Sequence, residues 1–152
     1  GGKFETWLGA LVSPGDSFYL AGANEEALSV LLERIAKIGY EPFVKEAFVL
    51  DYGAEVFTEI DLDDFKKNMQ DYTIVDIRNE SEVKEQLAFK DSINIPLPEL
   101  HKRFEEIPAG KPIVVHCAGG YRSAAGSSLL QNKVNTKVFD LSEHIKQFIS
   151  EH

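Results

Sequence analysis

Apolar residues in this chain fall alternately into short continuous runs and into stripes of helical period. The run Ser17-Phe18-Tyr19-Leu20-Ala21 predicts a short strand. After Gly22-Ala23-Asn24, residues Leu28, Leu31, Leu32, Ile35 and Ile38 recur at the spacing of one helix face. Asn24 suits the N-cap, Glu25 and Glu26 suit the positive end of the helix, and Gly39 stands where a C-terminal cap belongs. From about Phe57 onward the alternation is more regular. A strand is expected over Phe57 to Ile60, then a helix starting near Asp61 with Leu62, Phe65 and Met69 inward. The strand Thr73 to Ile77 precedes a helix beginning near Ser81, and Ser92 to Ile95 reads as another strand. Pro98 to Phe104 reads as a short helix, Pro112 to Cys117 as the most buried strand, and the next helix runs to about Asn132. Lys137 to Leu141 forms the last strand, and Ser142 is expected to cap a final helix with Ile145, Phe148 and Ile149 inward. Strands alternating with helices at this spacing predict an α/β fold, a mostly parallel sheet with helices on both faces.

The first part of the chain reads as a partial copy of the last. An offset of 96 residues sets Ala21 against Cys117, Phe43 against Phe139, and Phe18-Tyr19-Leu20 against Val114-Val115-His116. Both segments read strand, small-residue turn, helix, strand. The first copy has alanine where the second has cysteine, and Glu25-Glu26 near the place of Tyr121-Arg122, so it is expected to be structural.

Cys117 is the only cysteine, and it opens the loop Cys117-Ala118-Gly119-Gly120-Tyr121-Arg122 where a strand turns into a helix. The first turn of a helix presents unpaired N–H groups and the positive end of the macrodipole, and a thiolate is an anion that such a site stabilises. Gly119 and Gly120 let successive amides turn inward, and Arg122 adds a permanent positive charge. Those surroundings lower a thiol pKa and predict a nucleophile near neutral pH. The competing reading, a small buried apolar cysteine, requires neither the glycine pair nor the arginine.

Composition narrows the setting. A chain of 152 residues with 43% hydrophobic and 27% charged residues holds one ordinary domain, or a small domain with a satellite segment. No run approaches the about 20 apolar residues of a membrane helix. The formal net charge of -9 disfavours nucleic acid and an acidic membrane surface as partners. A lone cysteine cannot form an internal disulfide and suits a reducing, cytoplasmic setting. His101, His116, His144 and His152 show no metal-ligand spacing with one another or with Cys117, so neither a metal nor another cofactor is expected.

The segment from about Phe57 to His152 resembles the rhodanese family of sulfurtransferases. Cys117 to Arg122 matches the family's six-residue cysteine-to-arginine loop, Asp76-Ile77-Arg78 its Asp-x-Arg, and Ile93-Asn94-Ile95-Pro96-Leu97 its Ile-Asn-Ile-Pro stretch. Cdc25-type phosphatases carry a loop one residue longer. Two stretches depart from the pattern: Leu87 to Ser92 replaces a Gly-His-Ile-Pro-Gly-Ala sequence, and Glu143-His144 stands in place of a late Gly-Gly.

The resemblance implies a rhodanese-like domain over residues 56–152, preceded in 1–55 by the C-terminal half of a degenerate, cysteine-free rhodanese-like repeat. It implies that Cys117 accepts sulfane sulfur as a persulfide, that Ala118, Gly119, Gly120 and Tyr121 with Arg122 hold that persulfide, and that Arg122 attracts the donor. Asp76 and Arg78 are expected to support the loop as an ion pair. The implied partners are a small sulfur donor, such as thiosulfate or a persulfide, and a thiophilic acceptor such as cyanide or glutathione. Fusions of a metallo-β-lactamase-like persulfide dioxygenase to one dead and one live rhodanese domain carry sequence of the Lys3 to Gly9 type. The chain is therefore expected to be the C-terminal fragment of such a fusion. The apolar helix face of the half-repeat is expected to be covered by the second domain or by another chain, as in a homodimer. Two other classes stay open: a phosphatase or arsenate reductase using the same thiolate and arginine, and a non-catalytic docking module.

Overall fold

The computed structural model describes residues 3–50 and 59–149. The chain divides into two compact units, Gly1–Val56 and Phe57–His152.

In the first unit, helix α1 (Phe4–Leu11) precedes strand β1 (Phe18–Gly22), helix α2 (Glu25–Ala36) and strand β2 (Val44–Val49). The amphipathic stretch of α1 was not anticipated from the sequence pattern. Asn24 caps α2 by accepting the Ala27 N–H at 2.8 Å. Strands β1 and β2 pair in parallel. Leu20, Leu28, Ile35 and Tyr40 form the core of this unit, with Phe4, Leu8 and Val12 packed against it. The inward face of α2 is thus covered within the unit itself. Leu32 departs from the expected stripe and is 37% exposed, because a sheet of two strands is too narrow to cover the full helix face.

The second unit runs α3 (Leu62–Lys67), β3 (Thr73–Asp76), α4 (Glu80–Glu85), β4 (Ile93–Asn94), α5 (Leu100–Arg103), β5 (Ile113–His116), α6 (Tyr121–Gln131), β6 (Val138–Asp140) and α7 (Ile145–Ile149). The sheet order is β4-β3-β5-β6, and every pairing is parallel. Asp61 caps α3, accepting from the Asp63 and Asp64 amides at 3.0 Å. Of the strand expected at Phe57 to Ile60, Phe57 and Thr58 lie outside the described residues, and Glu59 and Ile60 form no strand. Ser142 does not cap the last helix. It lies in a 3-10 turn at φ 49, and its N–H donates to Asp140 Oδ1 at 2.7 Å.

Strand alternation divides the core. Ile74 and Val114 face Phe65 of α3 and Ile145 and Phe148 of α7. Val115 turns to the other face, where Gly126 of α6 allows close approach: a Cβ there would stand 2.8 Å from Ile77 Cδ1 and 3.5 Å from Leu100 Cδ2. The two helical layers hold the sheet between them, so the carboxyl ends of β3 and β5 come level, with Asp76 opposite His116. Those two strand ends carry the site.

Candidate active site

Cys117 directly follows β5 and is 1% exposed. The chain then turns through Ala118 and Gly119, both exposed, into Gly120, which precedes α6 at φ 91. Only Gly120 of the glycine pair needs its lack of a side chain. A Cβ there would stand 2.9 Å from Ser142 Oγ and 3.0 Å from Glu143 N, whereas one on Gly119 would meet nothing within 4 Å. Gly120 is the left-handed residue of the loop, and the amides of both Gly119 and Gly120 turn inward to the cysteine sulfur, as expected.

That single turn aims the backbone at the sulfur. Gly120 N–H donates to Cys117 Sγ at 3.1 Å. Cys117 Sγ lies 3.7 Å from Ser123 Oγ, and the Ser123 hydroxyl donates to the Gly120 carbonyl at 3.0 Å. Burial pushes the Cys117 thiol up, but hydrogen bonds from the Gly119, Ser123 and Gly120 amides outweigh it, joined by the Ser123 hydroxyl once it turns its proton from the Gly120 carbonyl to the thiolate, and they hold the thiol below its ordinary value. Tyr121 is 54% exposed at the rim.

Arg122 does not simply face outward to a donor. Its Nη1 donates to Glu82 Oε2 at 2.6 Å and its Nη2 to Glu82 Oε1 at 2.7 Å, a two-pronged pair between α6 and α4. The Glu82 hydrogen bond raises the Arg122 pKa, and interaction with Cys117 raises it further. Arg122 in turn holds the Glu82 carboxyl below the usual range. Glu82 also accepts the Asn79 N–H at 3.1 Å through Oε2, completing a capping box at the start of α4.

Beneath the loop, Asp76 and Arg78 form a second pair with side chains 0% and 3% exposed. Arg78 Nη2 donates to Asp76 Oδ2 at 2.6 Å and to the Gln86 carbonyl at 2.9 Å, and the Arg78 amide donates to Asp76 Oδ1 at 3.0 Å. Asn94 Nδ2 ties the same turn to β4, donating to the Asp76 and Arg78 carbonyls at 2.8 and 2.9 Å. His116 is fully buried, with its Nε2 3.6 Å from Asp76 Oδ2 and its ring edge-on to Phe89 at 5.1 Å. Neither ring nitrogen makes a hydrogen bond, and burial lowers the His116 pKa to about 4.

The structure thus brings Cys117, Gly120 and Arg122 together at the mouth of α6 and sets Asp76 and Arg78 at the end of β3. Sequence reasoning missed Glu82 and Ser123, and it gave Asn94 as part of a motif without its role in tying the turn to β4. The Asn79-x-x-Glu82 spacing signals a capping box, but nothing local signals that Glu82 meets an arginine 40 residues away. Among the described residues no group of three His, Cys, Asp or Glu side chains could hold a metal ion, and no helix is long and apolar enough to cross a membrane. A cleft lined by Tyr72, Thr73, Phe89, Ile93 and Lys111 opens at the opposite ends of the strands and includes none of the cysteine loop.

The protein is thus an α/β fold in which backbone amides hold a buried thiol where a parallel strand enters a helix, a setting that favours the thiolate form. Residues 61–151 match the family model of the rhodanese-like domain, and the chain belongs to that family. A rhodanese-related protein from Thermoplasma volcanium is 30% identical, with a TM-score of 0.55 over 62% of this chain and 93% of that one. The reduced CoADR-RHD protein of Bacillus anthracis is also 30% identical, with a TM-score of 0.51 over 57% of this chain and 15% of that one. A tRNA uridine(34) hydroxylase of Rickettsia bellii is 36% identical over 89 residues, which are 54% of this chain. The match spans 35% of that relative's length. Family membership supports a sulfurtransferase-like enzyme.

Proposed function

We propose that the chain moves sulfane sulfur from thiosulfate or a low-molecular-weight persulfide to a thiophilic acceptor through a Cys117 persulfide. The observation that carries this reading is the Gly120 N–H at 3.1 Å from Cys117 Sγ, in a six-residue loop that ends in Arg122. A short loop of inward amides stabilises a thiolate, and then the terminal sulfur of a persulfide anion, in the same place.

The Cys117 thiolate attacks the outer sulfur of the donor. A Cys117 S–S bond forms while the donor's own bond to that sulfur breaks, and sulfite, or the donor's thiolate, leaves with the electron pair. The acceptor, cyanide or glutathione or another small thiol, then attacks the terminal sulfur, and Cys117 departs as thiolate. No net oxidation occurs. The likeness to a tRNA hydroxylase is not carried over, because a formal charge of -9 disfavours an RNA backbone as partner.

Intact mass after brief incubation with thiosulfate or glutathione persulfide tests the reading. The native chain should gain one sulfur atom that cyanide removes, and Cys117→Ser should gain none. The absence of any gain with either donor would sink the proposal.

The first unit supports a second proposal, that it is the latter half of a cysteine-free rhodanese-like repeat. Its α2 spans residues 25–36, which an offset of 96 sets on 121–132, where α6 occupies 121–131; in both units the helix joins two parallel strands. On this reading the chain is the C-terminal part of a protein with a metallo-β-lactamase-like domain upstream. An immunoblot of the native gene product, showing a species no larger than 17.0 kDa, would contradict it.

A further inference from the structure

Both arginines beside the cysteine loop are paired with a carboxylate. Arg78 is paired with Asp76, both buried, and Arg122 is gripped at both Nη atoms by Glu82, which is one-third exposed. With Cys117 as thiolate, the charges of Asp76, Arg78, Glu82, Arg122 and Cys117 sum to one negative charge: Arg122 still interacts with Cys117, but Glu82 offsets its charge, and the loop amides supply the rest of the attraction. Dipolar amides stabilise the single charge of a thiolate or persulfide over a short range, but they do not offset a second full charge arriving from solvent.

We infer that Glu82 is a positioning residue that fixes Arg122 and cancels its charge, so that the site is built for a donor presenting one negative charge or none at the reacting sulfur. A low-molecular-weight persulfide fits that description. Thiosulfate, which concentrates two charges on a small ion, does not. The donor assignment rests on the sulfurtransferase reading above, whereas the charge cancellation stands on the Arg122–Glu82 geometry alone.

Glu82→Gln separates this role from helix capping, because a glutamine oxygen can still accept the Asn79 N–H and a capping box admits either residue. Glu82→Asp keeps the charge. The first readout needs no sulfur transfer: the rate of Cys117 alkylation by anionic iodoacetate divided by that by neutral iodoacetamide. Glu82→Gln should raise this ratio roughly fivefold at low salt, with the gain shrinking as salt is added, and Glu82→Asp should hold it near the native value.

The second readout is kcat/KM for thiosulfate against cysteamine persulfide, whose ammonium group makes it neutral overall when the persulfide ionises. Glu82→Gln should raise kcat/KM for thiosulfate several-fold relative to that for cysteamine persulfide, mainly through KM. An unchanged alkylation ratio overturns the proposal, as does equal loss with both donors or a Cys117 that neither reagent labels. A ratio that rises while neither donor adds sulfur overturns the sulfurtransferase reading and supports the charge cancellation.

Discussion

Gly120 and Ser142 press against each other so closely that a single added carbon on Gly120 would sit 2.9 Å from the Ser142 hydroxyl. The contact locks the cysteine loop to the turn after β6, and both partners hold left-handed backbone, at φ 91 and φ 49. Gly120→Ala therefore meets two costs, about 1–2 kcal/mol for the left-handed conformation and a further overlap with backbone of 142–143. A loss of at least about 2 kcal/mol in urea unfolding is expected, together with loss of persulfide formation as the amide swings off Cys117 Sγ. Gly119→Ala, in open space and ordinary φ, should lose much less stability. Equal effects at the two positions would contradict this account.

Ser123 is buried between the sulfur and the Gly120 carbonyl. Its amide and hydroxyl are among the groups that hold the Cys117 thiol down against burial. Ser123→Ala removes the hydroxyl and leaves the amide, so the midpoint of the pH profile for Cys117 alkylation should move upward. A neutral reagent, iodoacetamide, isolates this effect from the charge of Arg122. An unmoved midpoint in a variant that melts like the native chain would show that the hydroxyl contributes nothing to thiolate stability.

The strands and the loop were legible because their signals are local. Pro112 to Val115 is continuously apolar, and a glycine pair follows Cys117 at a strand-to-helix junction. The helix after the loop could be placed from that junction although its own sequence is a weak guide: Ser123, Gly126, Ser127 and Leu130 are its buried residues, a face of small side chains with little hydrophobic contrast. Asn24 announced its helix as an N-cap, and the helix expected near Asp61 begins there, capped by that residue. Ser142 misled because the cap chemistry there belongs to Asp140, two residues earlier. The Glu82–Arg122 pair was not legible at all, since it depends on how α4 and α6 meet across the end of the sheet.

The Asp76–Arg78 pair should respond asymmetrically to substitution. Asp76→Leu leaves a guanidinium only 3% exposed without its paired carboxylate, and the expected loss is about 3–5 kcal/mol. Replacing both residues, Asp76→Leu with Arg78→Met, removes the stranded charge and should recover most of that loss. Chemical denaturation of the native, single and double variants checks it. A double variant as unstable as the single one would mean that the Arg78 bonds to Gln86 and Asp76, not the buried charge, hold this turn.

His116 gives the fold a dependence on pH that can be worked out in sign. Burial lowers its folded-state pKa to about 4, partly opposed by Asp76 and reinforced by Arg78, while Phe89 packs on its ring. An unfolded imidazole takes up a proton near pH 6.5, so between about 6.5 and 4 the unfolded chain binds more protons than the folded one. Stability is complete above that window and falls on acidification through it, by about 2 kcal/mol between pH 7 and 5. Glu82, whose pKa is lowered by Arg122, adds its own loss only below its unfolded value of 4.5, so the interval from 7 to 5 isolates the histidine. Urea midpoints across this interval should drop for the native chain and stay nearly level for His116→Asn. Parallel slopes in the two proteins would remove His116 as the cause.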